Sequence, residues 1–163
     1  MPDKIKLLVV DDEKQFLETI SKRLSMRDFD VTPVSSGEEE AIEAARKQEF
    51  EIALVDLKMP GIGGEEVLEI LKREHRFMEV VILTGYGSID SAIKCTKAGV
   101  YGYLEKPCEL ETLLNVLREA YQRRVQNKLK FKGEKLKEIV SEVAPGSPLE
   151  ILRKLKEMDR ELK

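Results

Sequence analysis

The sequence predicts an α/β fold built on a five-stranded parallel sheet, and three observations carry that prediction. Five short apolar runs, rich in Val, Ile and Leu, alternate with stretches whose apolar residues recur at helical spacing. Unbroken apolar runs of that length suit strands buried on both faces, as parallel strands are. Four of the runs stop abruptly at polar residues: Val9-Val10-Asp11-Asp12-Glu13, Val55-Asp56-Leu57-Lys58-Met59-Pro60-Gly61, Leu83-Thr84-Gly85-Tyr86-Gly87 and Tyr103-Leu104-Glu105-Lys106-Pro107.

The first strand covers residues 5–10, and a helix over 14–26 follows with Phe16, Leu17, Ile20 and Leu24 on one face. Residues 30–34 form a second, weaker strand. Pro33 lacks a backbone donor and places that strand at a sheet edge. Ser36 and Glu39 make a capping box for a helix that runs to about Lys47. The third strand is 51–55, followed by a loop at 61–64 and a helix over 65–74 with Val67, Leu68 and Leu71 inward. The fourth strand is 79–83 and its helix 88–97, ended by Gly99 as a glycine cap. The fifth strand is 101–104. A final helix carries Leu110, Leu113, Leu114 and Leu117 and is expected to run from 109 to about Lys130. Five βα units in alternation imply right-handed crossovers with helices on both faces. For five strands the flavodoxin-like order 2-1-3-4-5 is the natural one, and it makes the Pro33 strand an edge.

The 163 residues suffice for one full core plus an appendage. Hydrophobic content of 42% and charged content of 36% fit a soluble globular protein. Residues 2–6 and the short apolar run after them do not make a secretory signal, and nothing approaches a membrane span. Cys95 and Cys108 have no metal-type spacing, so a reducing cytoplasm is the expected location. Residues 1–124 hold 18 basic and 24 acidic residues, and residues 125–163 hold 10 and 7, so a net −6 body carries a +3 tail. The domain is therefore expected to span 1–124, with a helical tail at 125–163 that is a candidate oligomerisation or partner-binding segment.

In an open parallel sheet, ligands bind beyond the carboxyl ends of the strands. The four interrupted runs deliver three carboxylates, a hydroxyl and an amine to that one edge. Asp11, Asp12 and Asp56 supply hard oxygens suited to Mg²⁺, and without a cation they would repel one another. Thr84 and Lys106 can contact phosphoryl oxygens, one as a hydrogen-bond donor and one as a point charge. A single strand-ending Asp is usually a turn residue. The whole set at strand ends is what gives Asp56 its meaning.

At these residues the chain resembles the receiver domain of two-component response regulators, from residue 4 to about 124. The resemblance implies that Asp56 is the phosphoacceptor and forms an acyl phosphate. It implies that Asp12 and Asp56 ligate Mg²⁺ directly, with Asp11 acting through water and the Lys58 carbonyl as a backbone ligand. Lys106 would bridge an acid and the phosphoryl group, Thr84 would move toward the phosphate, and Tyr103 would turn inward with it. A core aromatic is the rival reading for Tyr103. The Lys106-Pro107 bond is expected to be cis. Lys58 and Tyr86 flank the route of attacking water, and a bulky Tyr86 is expected to lengthen the life of the acyl phosphate. The segment Thr84-Gly85-Tyr86-Gly87-Ser88 resembles receivers of the nitrogen-regulation type, which are usually coupled to an ATPase and a DNA-binding domain; this sequence contains neither.

The implied partners are a sensor histidine kinase or a histidine phosphotransfer protein, and a downstream protein or a second copy that reads the fourth helix, fifth strand and fifth helix (about residues 88–122). The implied role is a stand-alone signalling switch, with a phosphorelay intermediate or phosphate sink as the alternative. It is not a conventional enzyme beyond its own phosphotransfer and autodephosphorylation. A Mg²⁺-dependent small-molecule phosphatase would usually carry a second acid two residues after its nucleophile, where this chain has Lys58. A scaffold whose acids merely bind metal leaves Thr84 and Lys106 unexplained. The Gly61–Gly64 and Gly85–Gly87 stretches lack phosphate-loop spacing and read as βα loops. His75 reads as a surface residue.

In the tail, Arg123, Arg124, Lys128, Lys130, Lys132, Lys135 and Lys137 read as a solvated helix face rather than a binding stripe. Ala144-Pro145-Gly146-Ser147-Pro148 is a breaker. Leu149, Leu152, Leu155, Met158 and Leu162 then line one helix face opened by Pro148. The tail is too short for a DNA-binding domain with its own core, so direct DNA binding is not expected.

Overall fold

The computed structural model describes residues 3–35, 38–57, 64–85, 87–142 and 148–162. The elements are β1 (Ile5–Val10), α1 (Lys14–Ser25), β2 (Phe29–Val34), α2 (Glu38–Lys47), β3 (Ile52–Val55), α3 (Gly64–Glu74), β4 (Glu79–Thr84), α4 (Ile89–Lys97), β5 (Gly102–Glu105), α5 (Leu110–Glu142) and α6 (Pro148–Glu161). The five strands form one parallel sheet in the order β2-β1-β3-β4-β5. Pro33 lies on the edge strand, paired with Val9.

The strands are apolar along their whole length because both faces are covered. Leu8, Val10, Ala53, Val55, Val80 and Ile82 point to one face, where they pack with Val67, Leu68 and Leu71 of α3 and with Cys95 of α4. Leu7, Val9, Ile52, Leu54, Val81 and Leu83 point to the other, against Leu17, Ile20 and Leu24 of α1 and Leu113, Leu114 and Leu117 of α5. The alternation along each strand is therefore between two cores and not between core and solvent. Ser88 caps α4 by accepting the Ser91 N–H at 3.1 Å. Gly99 follows that helix with φ +94°, where a Cβ would be strained.

The chain divides into two compact units, Met1–Arg124 and Val125–Lys163. Within the second, the end of α5 and α6 pack through Ile139 and Met158, with Leu155 and Leu162 alongside. Lys135 lies 3.8 Å from Glu161.

Three expectations need correction. The last long helix does not stop near Lys130 but continues to Glu142. Residues 131–142 contain no proline, and the lone Gly133 costs a helix interior only about 1 kcal/mol. On α6, which opens at Pro148 as expected, Met158 is buried, whereas Leu149 is 82% and Leu152 48% exposed. Arg124 does not lie on a solvated face; it is buried and donates to Glu49 at 3.1 Å. His75 is half-buried, and its Nε2 is enclosed without a hydrogen-bond partner among the described residues. The Ser36 cap, the 61–63 part of the loop, Lys58 and Tyr86 lie outside the described residues.

Candidate functional site

The carboxyl ends of β1, β3, β4 and β5 bring four of the expected residues to one edge of the sheet. β1 and β3 are neighbours in register, Val10 beside Val55, so the residues that follow them, Asp11 and Asp56, emerge side by side. The Asp56 N–H donates to the Val10 carbonyl at 3.0 Å, which ties the two chain ends together. The Lys106 N–H donates to the Thr84 carbonyl at 2.8 Å and extends the β4–β5 ladder one residue past Glu105. The Lys106-Pro107 bond is cis.

Asp11, Asp56 and Thr84 are buried and Asp12 is exposed. One carboxylate oxygen each from Asp11, Asp12 and Asp56 lies within 4.8 Å of the other two. The ammonium of Lys106 reaches into this group. Its Nζ donates to Asp11 Oδ2 at 2.6 Å and to Asp56 Oδ2 at 3.3 Å. Asp11 Oδ1 is held by the Glu13 N–H at 2.9 Å.

Burial pushes the Asp11 carboxyl above its ordinary range, and this outweighs the Lys106 and Glu13 hydrogen bonds that pull it down. Burial by itself would lower the Lys106 ammonium, but the hydrogen bond and charge of Asp11, with the charge of Asp56, raise it overall. Lys106 thus stays cationic while the acids around it are crowded. A second cation would relieve that crowding. Three hard carboxylate oxygens converging from two strand ends match the few-carboxylate, water-rich sites that Mg²⁺ prefers. The donor set fits that ion, and Asp11, Asp12 and Asp56 are the residues able to hold it.

Tyr103 lies on β5 with its ring against the core beneath α3 and α4, and its half-buried side chain ends in a hydroxyl without a partner among the described residues. Two neighbours of Lys106 were not singled out as site residues from the sequence. Glu13 Oε1 lies 3.9 Å from its Nζ, and the Phe16 ring centroid 4.0 Å away. Glu13 adjoins the acid pair, which is a usable signal. Phe16 reads from periodicity only as a core residue of α1.

Residues 7–118 match the family model described as the response regulator receiver domain. The photosynthetic apparatus regulatory protein RegA of Cereibacter sphaeroides is 36% identical over 112 residues, which cover 68% of this chain and 60% of RegA. The acid tolerance regulatory protein ActR of Rhizobium meliloti is 31% identical over 125 residues, 77% of this chain and 63% of ActR. A crystal structure of a response regulator receiver domain protein from Clostridium thermocellum is 31% identical with a TM-score of 0.70, covering 75% of this chain and 98% of that one. The chain thus spans less than two thirds of RegA and ActR.

Proposed function

Because this chain belongs to the response regulator receiver domain family, we propose that it is a phosphorylation-dependent switch that takes a phosphoryl group onto Asp56 from a sensor histidine kinase or a histidine phosphotransfer protein. The observation that carries this reading is the approach of Lys106 Nζ to within 3.3 Å of Asp56 Oδ2, at a buried edge shared with Asp11 and Thr84.

In the proposed step an Asp56 carboxylate oxygen attacks phosphorus as the P–N bond to the donor imidazole breaks. The electron pair leaves on that nitrogen, which takes a proton from solvent, and an acyl phosphate remains on Asp56. Lys106 turns an N–H from carboxylate to phosphoryl oxygen, and Thr84 donates its hydroxyl to another. Asp11, Asp12 and Asp56 would hold Mg²⁺, with the Lys58 carbonyl as the expected backbone ligand, and the ion would supply neutralisation of the phosphoryl oxygens. The ring of Tyr103 follows Thr84 inward and biases a pre-existing equilibrium between two forms of the surface made by α4, β5 and α5. That surface already exposes Ile89 and Ile93 of α4, apolar side chains that suit a protein partner or a second copy.

Intact mass and light scattering, with Mg²⁺ and before and after acetyl phosphate, test this reading. The expected result is one added phosphoryl group that disappears in Asp56→Ala. A simultaneous shift to dimer makes a second copy the reader; an unchanged mass in solution makes a separate protein the reader. No added group in the wild type overturns the proposal.

A further inference from the structure

The first turn of α1 places the Phe16 ring centroid 4.0 Å from the Lys106 ammonium, and that contact has no role in the chemistry described so far. The placement is well anchored. Leu17, Ile20 and Leu24 bury the helix against the sheet, and Phe16 packs at the margin of the same core. The connection from β1 is short, with Glu13 extended and its N–H held by Asp11 Oδ1. The ring thus forms a wall beside Lys106, whose side chain is 13% exposed.

Among the described residues, Nζ also meets three carboxylates: Asp11 at 2.6 Å, Asp56 at 3.3 Å and Glu13 at 3.9 Å. Each of them competes with a phosphoryl oxygen for the same three N–H donors. An aromatic face attracts a cation through its quadrupole without demanding a directed hydrogen bond. The ammonium can rotate over the ring and exchange a carboxylate for a phosphoryl oxygen without leaving the site. We infer that Phe16 is a positioning residue for phosphoryl transfer, holding the Lys106 ammonium beside Asp56 while leaving its N–H groups free to change partners. The inference rests on Asp56 being the phosphoacceptor. Leucine at position 16 keeps an apolar side chain for the core but has no quadrupole.

The test compares Phe16→Leu and Phe16→Tyr in the full chain, alone and combined with Lys106→Met. Two readouts are needed. The first is the NMR shift of the Lys106 ε-methylene protons, which the ring current should move upfield of other lysines. The second is the initial rate of phosphorylation by acetyl phosphate at saturating Mg²⁺, with melting temperature as the folding control. Phe16→Leu should abolish the upfield shift and slow phosphorylation roughly 3- to 10-fold, the range a partly desolvated cation–π contact represents. Phe16→Tyr should restore both, and Phe16→Leu should add nothing once Lys106 is methionine. Equal losses in Leu and Tyr variants, or a full additive loss on Lys106→Met, overturn the inference and leave Phe16 as packing alone. If the wild type accepts no phosphoryl group, the phosphoacceptor reading itself fails and the catalytic part of the inference falls with it, whereas the ring-current shift still reports whether the contact exists.

Discussion

The two ends of the sheet both bury charge, and they do so in opposite ways. At the amino end, Glu79 opens β4 with its side chain 2% exposed, between Lys72 at 4.0 Å and Arg123 at 3.8 Å. Arg124, also buried, meets Glu49 at 3.1 Å and Glu51 at 3.8 Å. Each buried charge there has opposite charges on two sides. At the carboxyl end, among the described residues, Asp11, Asp56 and Glu13 gather around the ammonium of Lys106, and Asp12 adds a third carboxylate beside Asp11 and Asp56. Among the described residues, that end is short of positive charge. Burying an unbalanced charge is costly unless something arrives to compensate. The amino end reads as a clasp that fixes α5 to the sheet, and the carboxyl end is where the proposed switch would take a cation and a phosphoryl group.

The largest expected effect breaks one side of this contrast outright. Asp56→Asn should lower phosphorylation by acetyl phosphate at least about 100-fold, as loss of a nucleophile does, while circular dichroism stays unchanged. Retained phosphorylation at that level would move the acceptor elsewhere.

Mg²⁺ should separate the two ends next. At a hundred times its dissociation constant it adds about 2.7 kcal/mol to unfolding free energy. That gain should shrink sharply in Asp12→Ala and persist in Arg124→Leu. Urea titrations with and without the ion measure it, and an equal gain in both variants would break the contrast.

Arg124→Leu should itself cost about 2 kcal/mol, because Glu49 and Glu51 lose their partner and the clasp opens. The phosphorylation rate of the folded protein should not change. A rate that fell with stability would mean that the two ends are coupled.

The smallest effect concerns Asp11. Its carboxyl is raised above the ordinary value of 3.8, so over the window between 3.8 and the raised value the folded chain holds a proton that the unfolded chain has released. Stability without Mg²⁺ therefore falls as pH climbs through that window, and the full penalty is present above it. Asp11→Asn should melt slightly higher than wild type at neutral pH, with the two curves converging as pH drops below 4. A variant that melts lower at neutral pH would show that the Lys106 pair outweighs burial.

Much of the carboxyl end was legible in the sequence because its signal is local. An apolar run that stops at Asp11, Asp56, Thr84 or Lys106 declares both the strand and its ending, and strand order then brings the four together. The edge position of Pro33 was legible for the same reason, since one residue's missing donor decides it. The amino end was not legible. Arg124 sits in a basic stretch that looks solvated, and its partners Glu49 and Glu51 lie more than 70 residues away, in no pattern that a helix period reveals. The end of α5 was hard to place because Leu136, Ile139 and Val140 recur at helical spacing but nothing shows that they continue the helix before them; the packing of Ile139 on Met158 gives that stretch a reason to be helical. Phe16 was legible as core and not as a neighbour of Lys106, because periodicity reports which face a residue takes and not what sits at the end of that face.

The most direct test of the account is to locate the modification. The protein is phosphorylated with acetyl phosphate and Mg²⁺, reduced with borohydride so that an acyl phosphate becomes an alcohol, digested, and sequenced by mass spectrometry. The account predicts homoserine at position 56 and unmodified aspartate at positions 11 and 12. Homoserine at 11 or 12 with intact Asp56, or none anywhere, would contradict it.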